Sequence, residues 1–436
     1  MNEVQGLLDF VNRAPTCYHA IAEAEKLLEG FTRLEEGQPW QLAPGGRYVV
    51  TRNRSSLIAF VLPDGEDAKP ERLAFRLVAS HSDSPMFRVK ENAELTVKDK
   101  YVQLDVEKYG GMLFAPWYDR PLSIAGRVLV RTPEGISTRL CTLDRDMAII
   151  PNVAIHMNRE VNSGYKYQPH IDLMPLWGTG AAKGSFKRVI AESVGAREED
   201  ILGSDLFLVS RVPGRVWGEE EAYLSAARLD DLECVYTSLM ALTAAAPASG
   251  VRMACIFDNE EVGSRTKQGA DSTFLADTLR RIVTALGGAE EQLMTALASS
   301  FMLSADNAHA VHPNHPELSD PINQVWMNEG VVVKFNANQK YTTDGLSQAV
   351  FAEICRREGV PVQYFANRSD MAGGGTLGNI STAHVSINTV DIGLAQLAMH
   401  SCYETAGTRD VPLMIRAMRA FYETPLRCKA DGEWVF

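Results

Sequence analysis

The chain has 436 residues, of which 45% are hydrophobic and 22% are charged, and its formal net charge is −12. This composition is that of a globular protein with a core large enough for two or three domains, and it excludes a disordered chain. The excess of negative charge, with no segregated basic patch, argues against nucleic acid as a partner.

Three features predict a cytoplasmic protein with no membrane association. Residues 1–30 carry acidic side chains such as Glu3 and Asp9 and lack a charged-then-apolar leader, so no secretion signal is expected. No apolar run reaches the roughly 18 residues that a membrane helix needs. The seven cysteines are odd in number and form no CxxC pair, which is typical of a reducing compartment.

Apolar runs of strand length recur along the chain, and each ends on polar residues. After a helical segment at Ile21–Leu28, these runs are Leu73–Ala79, Val251–Phe257 and Phe301–Leu303, and the helical stretches among and after them are Leu232–Thr243, Thr273–Leu286 and Ser347–Gly359. Strands alternating with helices predict an α/β fold, a mixed sheet with helices on both faces. Ligands of such sheets bind beyond the carboxyl ends of the strands, where the polar clusters lie here.

The middle of the chain differs from the rest. Between Phe87 and Glu221 the pattern is one of short alternating strands and many turns, with one helix expected near Lys187–Glu198. We interpret this part as an inserted β-rich second domain. The predicted division is residues 1–86 for the first part of the α/β domain, 87–225 for the inserted domain and 226–436 for the second part of the α/β domain.

Residues able to bind a metal follow the predicted strands or flank the helices: His81, Asp230, Asp231, Glu260, Glu261, Asp306 and His400. Imidazoles and carboxylates without thiolates suit zinc, manganese or cobalt. Two ions about 3.5–4 Å apart share one carboxylate and need a base that does not bind metal. The adjacent Glu260 and Glu261 can divide these two tasks, because successive side chains point in different directions.

Each of these residues also has a structural interpretation. His81 alone is typical of a hydrogen-bonded core histidine, a pair of glutamates is typical of a solvated surface, and Asp230 with Asp231 could cap a helix. The coincidence of several polar clusters at strand ends favours a metal hydrolase. The residues by themselves leave both interpretations open.

Five motifs in this order narrow the choice: Ala79–Pro85 (ASHSDSP), Arg228–Leu232 (RLDDL), Asp258–Ser264 (DNEEVGS), Ser304–Asn314 (SADNAHAVHPN) and Met399–Ser401 (MHS). With them the chain closely resembles the M18 family of metallo-aminopeptidases, which includes the aspartyl aminopeptidases. The resemblance implies removal of the N-terminal residue from peptides by water activated at two divalent metal ions, zinc being expected and cobalt or manganese the alternatives.

The resemblance also implies a role for each site residue. The metal ligands would be His81, Glu261, Asp306 and His400, with Asp230 bridging the two ions. Asp83 would orient the His81 imidazole, and Glu260 would be the general base. The peptide bond between Asp230 and Asp231 is expected to be cis. The histidines of the fourth motif, His309, His312 and His315, are expected to be structural.

His156 lies inside the predicted inserted domain, far along the chain from the metal motifs. In the family, the matching histidine is offered across a subunit interface and stabilises the oxyanion of the tetrahedral intermediate. The resemblance therefore implies self-association, with dimers built into a dodecamer. It also implies that residues 87–225 are a dimerisation or lid domain and that residues 1–86 and 226–436 form the catalytic domain.

The substrate pocket is expected to include Lys334, Tyr341 and Gly374. Lys334 could pair with an acidic first side chain of the peptide, whereas without the resemblance it could equally be an exposed lysine on a strand edge. The family's aspartyl enzymes tend to carry Cys-Gly at the position of Gly373–Gly374, and this departure weakens the case for an acidic preference.

Two alternatives belong to other classes of protein. One is a related two-metal deacylase or carboxypeptidase, which a substrate with a blocked amino group would distinguish. The other is an assembly protein with a vestigial site, which is disfavoured because no proposed ligand or base is missing.

Overall fold

A computed structural model describes residues 3–436. The helices are α1 Glu3–Arg13, α2 Cys17–Leu27, α3 Pro169–Asp172, α4 Ser185–Ser193, α5 Leu229–Ala244, α6 Phe274–Ala285, α7 Glu290–Ala298, α8 Gly345–Arg357, α9 Leu377–Ser381 and α10 Asp410–Glu423. The strands are β1 Thr32–Leu34, β2 Arg47–Arg52, β3 Ser56–Val61, β4 Phe75–His81, β5 Met86–Val97, β6 Tyr101–Tyr109, β7 Leu122–Thr132, β8 Gly135–Thr142, β9 Leu176–Thr179, β10 Ile201–Ser210, β11 Arg215–Trp217, β12 Tyr223–Ala226, β13 Val251–Phe257, β14 Phe301–Ala305, β15 Ala308–His309, β16 Val331–Phe335, β17 Val362–Ala366, β18 Asn388–Gly393, β19 Ala395–Leu397, β20 Glu404–Gly407, β21 Arg427–Ala430 and β22 Glu433–Val435. Within residues 3–436, no helix has both the length and the apolar character needed to cross a membrane.

A nine-stranded mixed sheet is the centre of the fold. Its order is β1-β2-β3-β13-β4-β14-β18-β16-β17. The four central strands, β13, β4, β14 and β18, are parallel to one another, while β3 and β16 run antiparallel to their inner neighbours. The carboxyl ends of the central strands therefore meet at one edge, which confirms the mixed α/β fold predicted from the alternation of strands and helices.

Helices cover both faces of this sheet. Along β13 the side chains of Ala254 and Ile256 enter the core that contains α1, α2, α5, α8 and α10, whereas Met253 and Cys255 enter the core that contains α6 and α7. Successive side chains of a strand point to opposite faces, so strands buried on both sides have nearly continuous apolar sequences. This is why the runs at β4, β13 and β14 were recognisable as strands.

A six-stranded sheet in the order β8-β7-β10-β5-β6-β9 forms a second layer of structure. All its strand pairs are antiparallel, and its own apolar core includes Phe87, Ile124, Leu208 and Phe186 of α4. The sheet uses residues from Met86 to Ser210, so it begins one residue before the segment predicted to be β-rich and ends inside it. The predicted domain boundaries themselves stay a prediction.

A third sheet, of five short strands in the order β11-β12-β20-β19-β15, was not predicted from the sequence. Its strands have two to four residues each, too short to show a hydrophobic period. The sheet joins chain segments that are far apart in sequence, and β12 and β20 pair with Ala226 opposite Glu404. Both of these residues lie a few positions from predicted metal ligands.

Candidate metal centre

Five separated chain segments bring the predicted ligands to one edge of the nine-stranded sheet. His81 ends β4, Asp306 directly follows β14, and a 3-10 turn at Glu260–Val262 follows β13. The five-stranded sheet supplies the other two: Asp230 lies just after β12, and His400 lies between β19 and β20. The site therefore combines strand ends from one sheet with connections from another.

The two carboxylate oxygens of Asp230 face two different histidines. Oδ1 lies 3.5 Å from Nε2 of His81, and Oδ2 lies 3.4 Å from Nε2 of His400. Asp306 Oδ1 is 3.9 Å from the His81 nitrogen, and Glu261 Oε2 is 3.4 Å from the His400 nitrogen. The side chains thus form two groups that share Asp230.

These separations fit divalent metal ions. Ligand atoms about 2.1 Å from a tetrahedral zinc ion are about 3.4 Å from one another. In the part of the chain that the structure describes, Oδ1 of Asp230 and Oε1 of Glu261 are buried and have no hydrogen-bond partner. Buried carboxylate oxygens without a partner are costly, and a cation removes that cost. The donor set suits zinc or a similar ion.

The Asp230–Asp231 peptide bond is cis, as expected from the resemblance. Both residues have non-helical backbone angles at the start of α5, and the regular helix begins at Leu232. Asp231 precedes that helix, but within residues 3–436 its Oδ2 accepts a hydrogen bond from the main-chain N–H of His81 and its Oδ1 has no partner, so it does not cap the helix. The carboxylates of Asp230 and Asp231 are therefore free for the site, and the helix-cap interpretation of this pair is not supported.

Asp83 connects the segment of His81 with the 3-10 turn at Glu260–Val262. Its Oδ1 lies 3.4 Å from Nδ1 of His81, which is also 3.1 Å from the Asp83 main-chain carbonyl oxygen. The main-chain N–H groups of Glu260 and Glu261 donate to the two Asp83 oxygens at 3.1 and 3.2 Å. Asp83 thus holds the imidazole with Nε2 toward the cluster, and it also holds the 3-10 turn, a contact that the sequence did not predict.

Glu260 belongs to neither ligand group, although its neighbour Glu261 belongs to one. Burial raises the pKa of Glu260 to about 8, and the charge of His81 acts in the opposite direction. The carboxylates of Asp306 and Asp83 add to the increase. Cations at the site would lower this pKa, because a nearby positive charge stabilises the ionised carboxylate.

Asp231 joins the first ligand group in the structure, although the resemblance did not assign it a role as a ligand. Its Oδ2 accepts a hydrogen bond from the main-chain N–H of His81 at 3.1 Å, and its Oδ1 is buried without a partner among residues 3–436. One ligand atom each of His81, Asp230, Asp231 and Asp306 lie within 4.8 Å of one another. The adjacent aspartates were visible in the sequence, but the sequence did not reveal that both of them face the cluster.

Lys334 is buried, so its interpretation as an exposed lysine on a strand edge is wrong. It lies on β16, which has β18 on one side and β17 on the other, and it is 1% exposed. Its Nζ donates to the main-chain carbonyl oxygens of Asp306 at 2.7 Å and of Asn307 at 3.3 Å, and it lies 3.5 Å from Oδ2 of Asp306. The ammonium group also lies 5.1 Å from the centre of the Tyr341 ring.

A cavity of about 240 Å³ has Met399, the residue before His400, in its wall. Phe365, Leu397 and Met371 give it apolar walls, and polar side chains complete the lining: His309, His312, His315, Asn367 and Arg368. These histidines are not members of either ligand group among the described residues. Gly374 lies on an exposed loop, and a side chain there would meet no other atom within 4 Å.

His156 lies on an exposed loop and is not part of either ligand group. Within residues 3–436 its side chain has no hydrogen-bond or ion-pair partner. A single chain therefore leaves this imidazole unused.

The turn after β6 packs directly on the ligand residues. Gly110 has a φ of +76°, and a Cβ there would lie 3.1 Å from the Cβ of Glu261. Tyr109, the preceding residue, donates its hydroxyl to Oδ2 of Asp83 at 2.7 Å. The six-stranded sheet thus touches both Glu261 and the carboxylate that holds it, which requires glycine at position 110.

The fold and the clustered donors define a metal-dependent hydrolase of the α/β class. Imidazoles and carboxylates able to hold a metal meet beyond the carboxyl ends of parallel strands.

Comparison with known proteins gives the family. The family model described as aminopeptidase I zinc metalloprotease (M18) matches residues 10–422. A probable M18 family aminopeptidase 2 of Clostridium acetobutylicum is 44% identical over 95% of this chain and 97% of its own length. This chain belongs to the M18 family of zinc metalloproteases and is an aminopeptidase, a hydrolase of peptide bonds.

Solved structures agree with this assignment. The structure of a complex of Ape4 with Nbr1 matches with a TM-score of 0.93 and 33% identity, over 97% of this chain and 85% of that one. The structure of the S. cerevisiae mApe1 dodecamer matches with a TM-score of 0.83 and 27% identity, over 96% of each chain.

Substitution of Gly393 by alanine is expected to weaken metal binding, because a Cβ there would lie 2.0 Å from the main-chain oxygen of Asp306. The Asp306 segment would have to move, and displaced metal ligands lower affinity roughly 10- to 100-fold. Calorimetric titration of the metal-stripped variant with Zn²⁺ measures this change. Gly345→Ala is the control, since a Cβ at Gly345 meets nothing within 4 Å. Equal zinc affinity in both variants would contradict the packing argument.

Proposed function

We propose that this aminopeptidase removes the N-terminal residue of peptides with water activated at a pair of divalent metal ions, zinc being the expected metal. The observation that supports a pair is Asp230, because its two oxygens lie 3.5 and 3.4 Å from two different histidines. The proposed ligands of one ion are His81 and Asp306, and those of the other are Glu261 and His400. Asp230 would bridge them.

Each residue then has a defined task in the reaction. When bound, the cations lower the pKa of a shared water and polarise the scissile carbonyl group. Glu260 takes a proton from that water as the bond to the carbonyl carbon forms, and it delivers the proton to the leaving amine nitrogen as the C–N bond breaks. Asp83 keeps Glu260 in place through the main-chain N–H, at 3.1 Å from Oδ1. The products are a free amino acid and a peptide shortened by one residue.

Restriction to the N-terminus would come from the free α-amino group. Among the described residues, the centre has an excess of buried carboxylates, which attracts an ammonium group. We propose that the cavity of about 240 Å³ with Met399 in its wall receives the first side chain. Its lining of Phe365, Leu397 and Met371 favours side chains with an apolar stem.

An acidic preference depends on Lys334, and we propose that it is modest. The ammonium group of Lys334 already donates to the carbonyl oxygens of Asp306 and Asn307, and it lies 3.5 Å from the Asp306 carboxylate. Its charge is therefore largely balanced before substrate binds. Arg368, on the cavity wall, is likewise paired with Asp370 at 2.6 Å.

We propose that the chain assembles into dimers and that these build a dodecamer. The likeness to the S. cerevisiae mApe1 dodecamer supports this proposal. Exposed apolar side chains lie on the loop that carries His156, among them Val153, Ile155 and Met157, and such a patch is typical of an interface. His156 would then reach the oxyanion in the partner subunit's site.

Two further proposals concern organisation and location. We retain the division into residues 1–86, 87–225 and 226–436, which the separate core of the six-stranded sheet supports. We also propose a cytoplasmic location. All seven cysteines lie in the described part of the chain and are unpaired, as in reducing compartments.

The adjacent glutamates should respond differently to the same change. Glu260→Gln is expected to bind two zinc ions per chain but to lose roughly 10²- to 10⁴-fold in kcat, because it cannot accept a proton. Glu261→Gln is expected to bind one ion tightly, because it removes a charged ligand. Zinc content by elemental analysis and hydrolysis of an aminoacyl p-nitroanilide measure the two effects. The N-acetylated substrate should not be cleaved. Full turnover by Glu260→Gln would disprove its role as the base.

The substrate preference can be measured with two nitroanilides of equal shape, those of glutamate and glutamine. We expect their kcat/KM values to differ by less than about tenfold, since a balanced charge contributes little. Lys334→Met should lower turnover of both substrates together by displacing Asp306, whereas Lys340→Met, an exposed lysine in the next loop, should change neither. A strong preference for glutamate that Lys334→Met abolishes would show that Lys334 binds the carboxylate of the substrate's first side chain.

The role of His156 across an interface can be tested with mixed oligomers. His156→Ala is expected to lose roughly 10²- to 10³-fold in kcat, as for other oxyanion donors. Co-expression of His156→Ala and Glu260→Gln chains with different tags should give mixed oligomers with restored turnover, because one site per mixed pair has both groups intact. The double variant expressed alone is the control and should stay inactive. Mixed oligomers as inactive as both parents would contradict the shared site.

A further inference from the structure

One buried carboxylate holds the main chain of two proposed ligands. Glu404 is 1% exposed. Its Oε2 accepts a hydrogen bond from the N–H of Asp230 at 3.0 Å, and its Oε1 accepts one from the N–H of His400 at 2.6 Å. Both oxygens are therefore used on the main chain, and Glu404 is not a member of either ligand group among the described residues.

The position of Glu404 is itself fixed by the five-stranded sheet. It is the first residue of β20, and it lies opposite Ala226 in the antiparallel pair with β12. Asp230 follows Ala226 by four residues. The hydrogen bonds of the two strands thus determine where the carboxylate of Glu404 stands relative to the segment that carries Asp230.

His400 needs such a restraint. Its φ is +66°, in the left-handed region that residues with a side chain rarely adopt. A residue in this conformation keeps it only when its surroundings oppose relaxation. The short hydrogen bond from the His400 N–H to Oε1 of Glu404, at 2.6 Å, opposes that relaxation.

We propose that Glu404 is a positioning residue that holds Asp230 and His400 at the spacing required by the ion between them, and that it thereby sets the affinity of that ion. The inference rests on the proposed two-metal function. It concerns the group formed by Asp230, Glu261 and His400, whereas the group around His81 is held by other contacts, such as that with Asp231.

Replacement of Glu404 by glutamine isolates this role. Glutamine has nearly the same shape, but it has one acceptor oxygen and an NH₂ group in place of the second. One of the two main-chain N–H groups would then face another donor. The variant keeps every proposed ligand, so a loss of metal affinity would come from position and not from a missing donor.

Asp410 offers a matched control. It is 0% exposed, and its carboxylate accepts main-chain hydrogen bonds from Asn328 at 2.5 Å and from Gly330 at 2.9 Å. Neither partner is a proposed ligand. Asp410→Asn therefore makes the same chemical change to the same kind of bond outside the metal centre, and it reports the general cost of that change.

The experiment is a calorimetric titration of metal-stripped protein with Zn²⁺. We expect two ions per chain for the full-length wild type and for Asp410→Asn, with equal affinities. Glu404→Gln should bind the ion at Glu261 and His400 roughly 10- to 100-fold more weakly, and the other ion, which shares only Asp230 with that group, should show a smaller loss of affinity. Two ions bound by Glu404→Gln with wild-type affinities would overturn the inference. A wild type that binds fewer than two ions would instead overturn the proposed function.

Hydrogen exchange of the metal-free wild type gives a second measurement that needs no variant. The amides of Asp230 and His400 should exchange slowly before any metal is added, because both are bonded to a buried carboxylate. Exchange as fast as that of amides in the exposed loop at residues 151–160 would show that Glu404 does not hold them.

Discussion

The arrangement of the centre depends on one carboxylate that faces two ways. Asp230 lies between His81 and His400, and each of its oxygens is directed to one of them. Its main chain is held on both sides, because its N–H donates to Glu404 and its carbonyl oxygen accepts from the Ser84 hydroxyl at 2.8 Å. A shift of this residue would change both ligand groups at once. The surrounding contacts therefore act mainly to keep its backbone in place.

Concentrated negative charge is the second constraint. Burial raises the pKa of Asp231 and Glu261, and the charge of Asp230 adds to both increases. Burial lowers the pKa of His81, but the nearby carboxylates of Asp230, Asp306 and Asp83 raise it well above its usual value. The group therefore retains protons, which a divalent ion replaces when it binds. Without cations, the buried carboxylates lower the stability of the folded chain. Cation binding removes this destabilisation, which is the basis of the site's affinity for cations.

The sequence predicted the parts of the site that follow strands. The ends of β4, β13 and β14 were recognisable because buried parallel strands have continuous apolar runs, and His81, Glu261 and Asp306 follow those runs directly. Asp230 and His400 were candidates from their residue types, but only the motifs around them implied their roles. Their neighbouring strands have three or four residues, too few to show a period.

The supporting contacts could not be predicted, because they join residues that are distant in the chain. Nothing near Glu404 in the sequence indicates that its partners are the N–H groups of Asp230 and His400. Lys334 is an instructive case. A lysine on a strand is normally exposed, but here it is buried beside Asp306, which offsets the cost of burying its charge. Such pairs become visible only when the fold brings the segments together.

The six-stranded sheet is more than an attachment to the catalytic sheet. Its turn at Tyr109 and Gly110 contacts Asp83 and Glu261, so it forms one wall of the metal centre. The proposed role of His156 would make the same segment contribute to a neighbouring subunit's centre. A segment with both functions links assembly to catalysis physically. Removal of the segment would therefore damage the centre of its own chain as well as that of its partner.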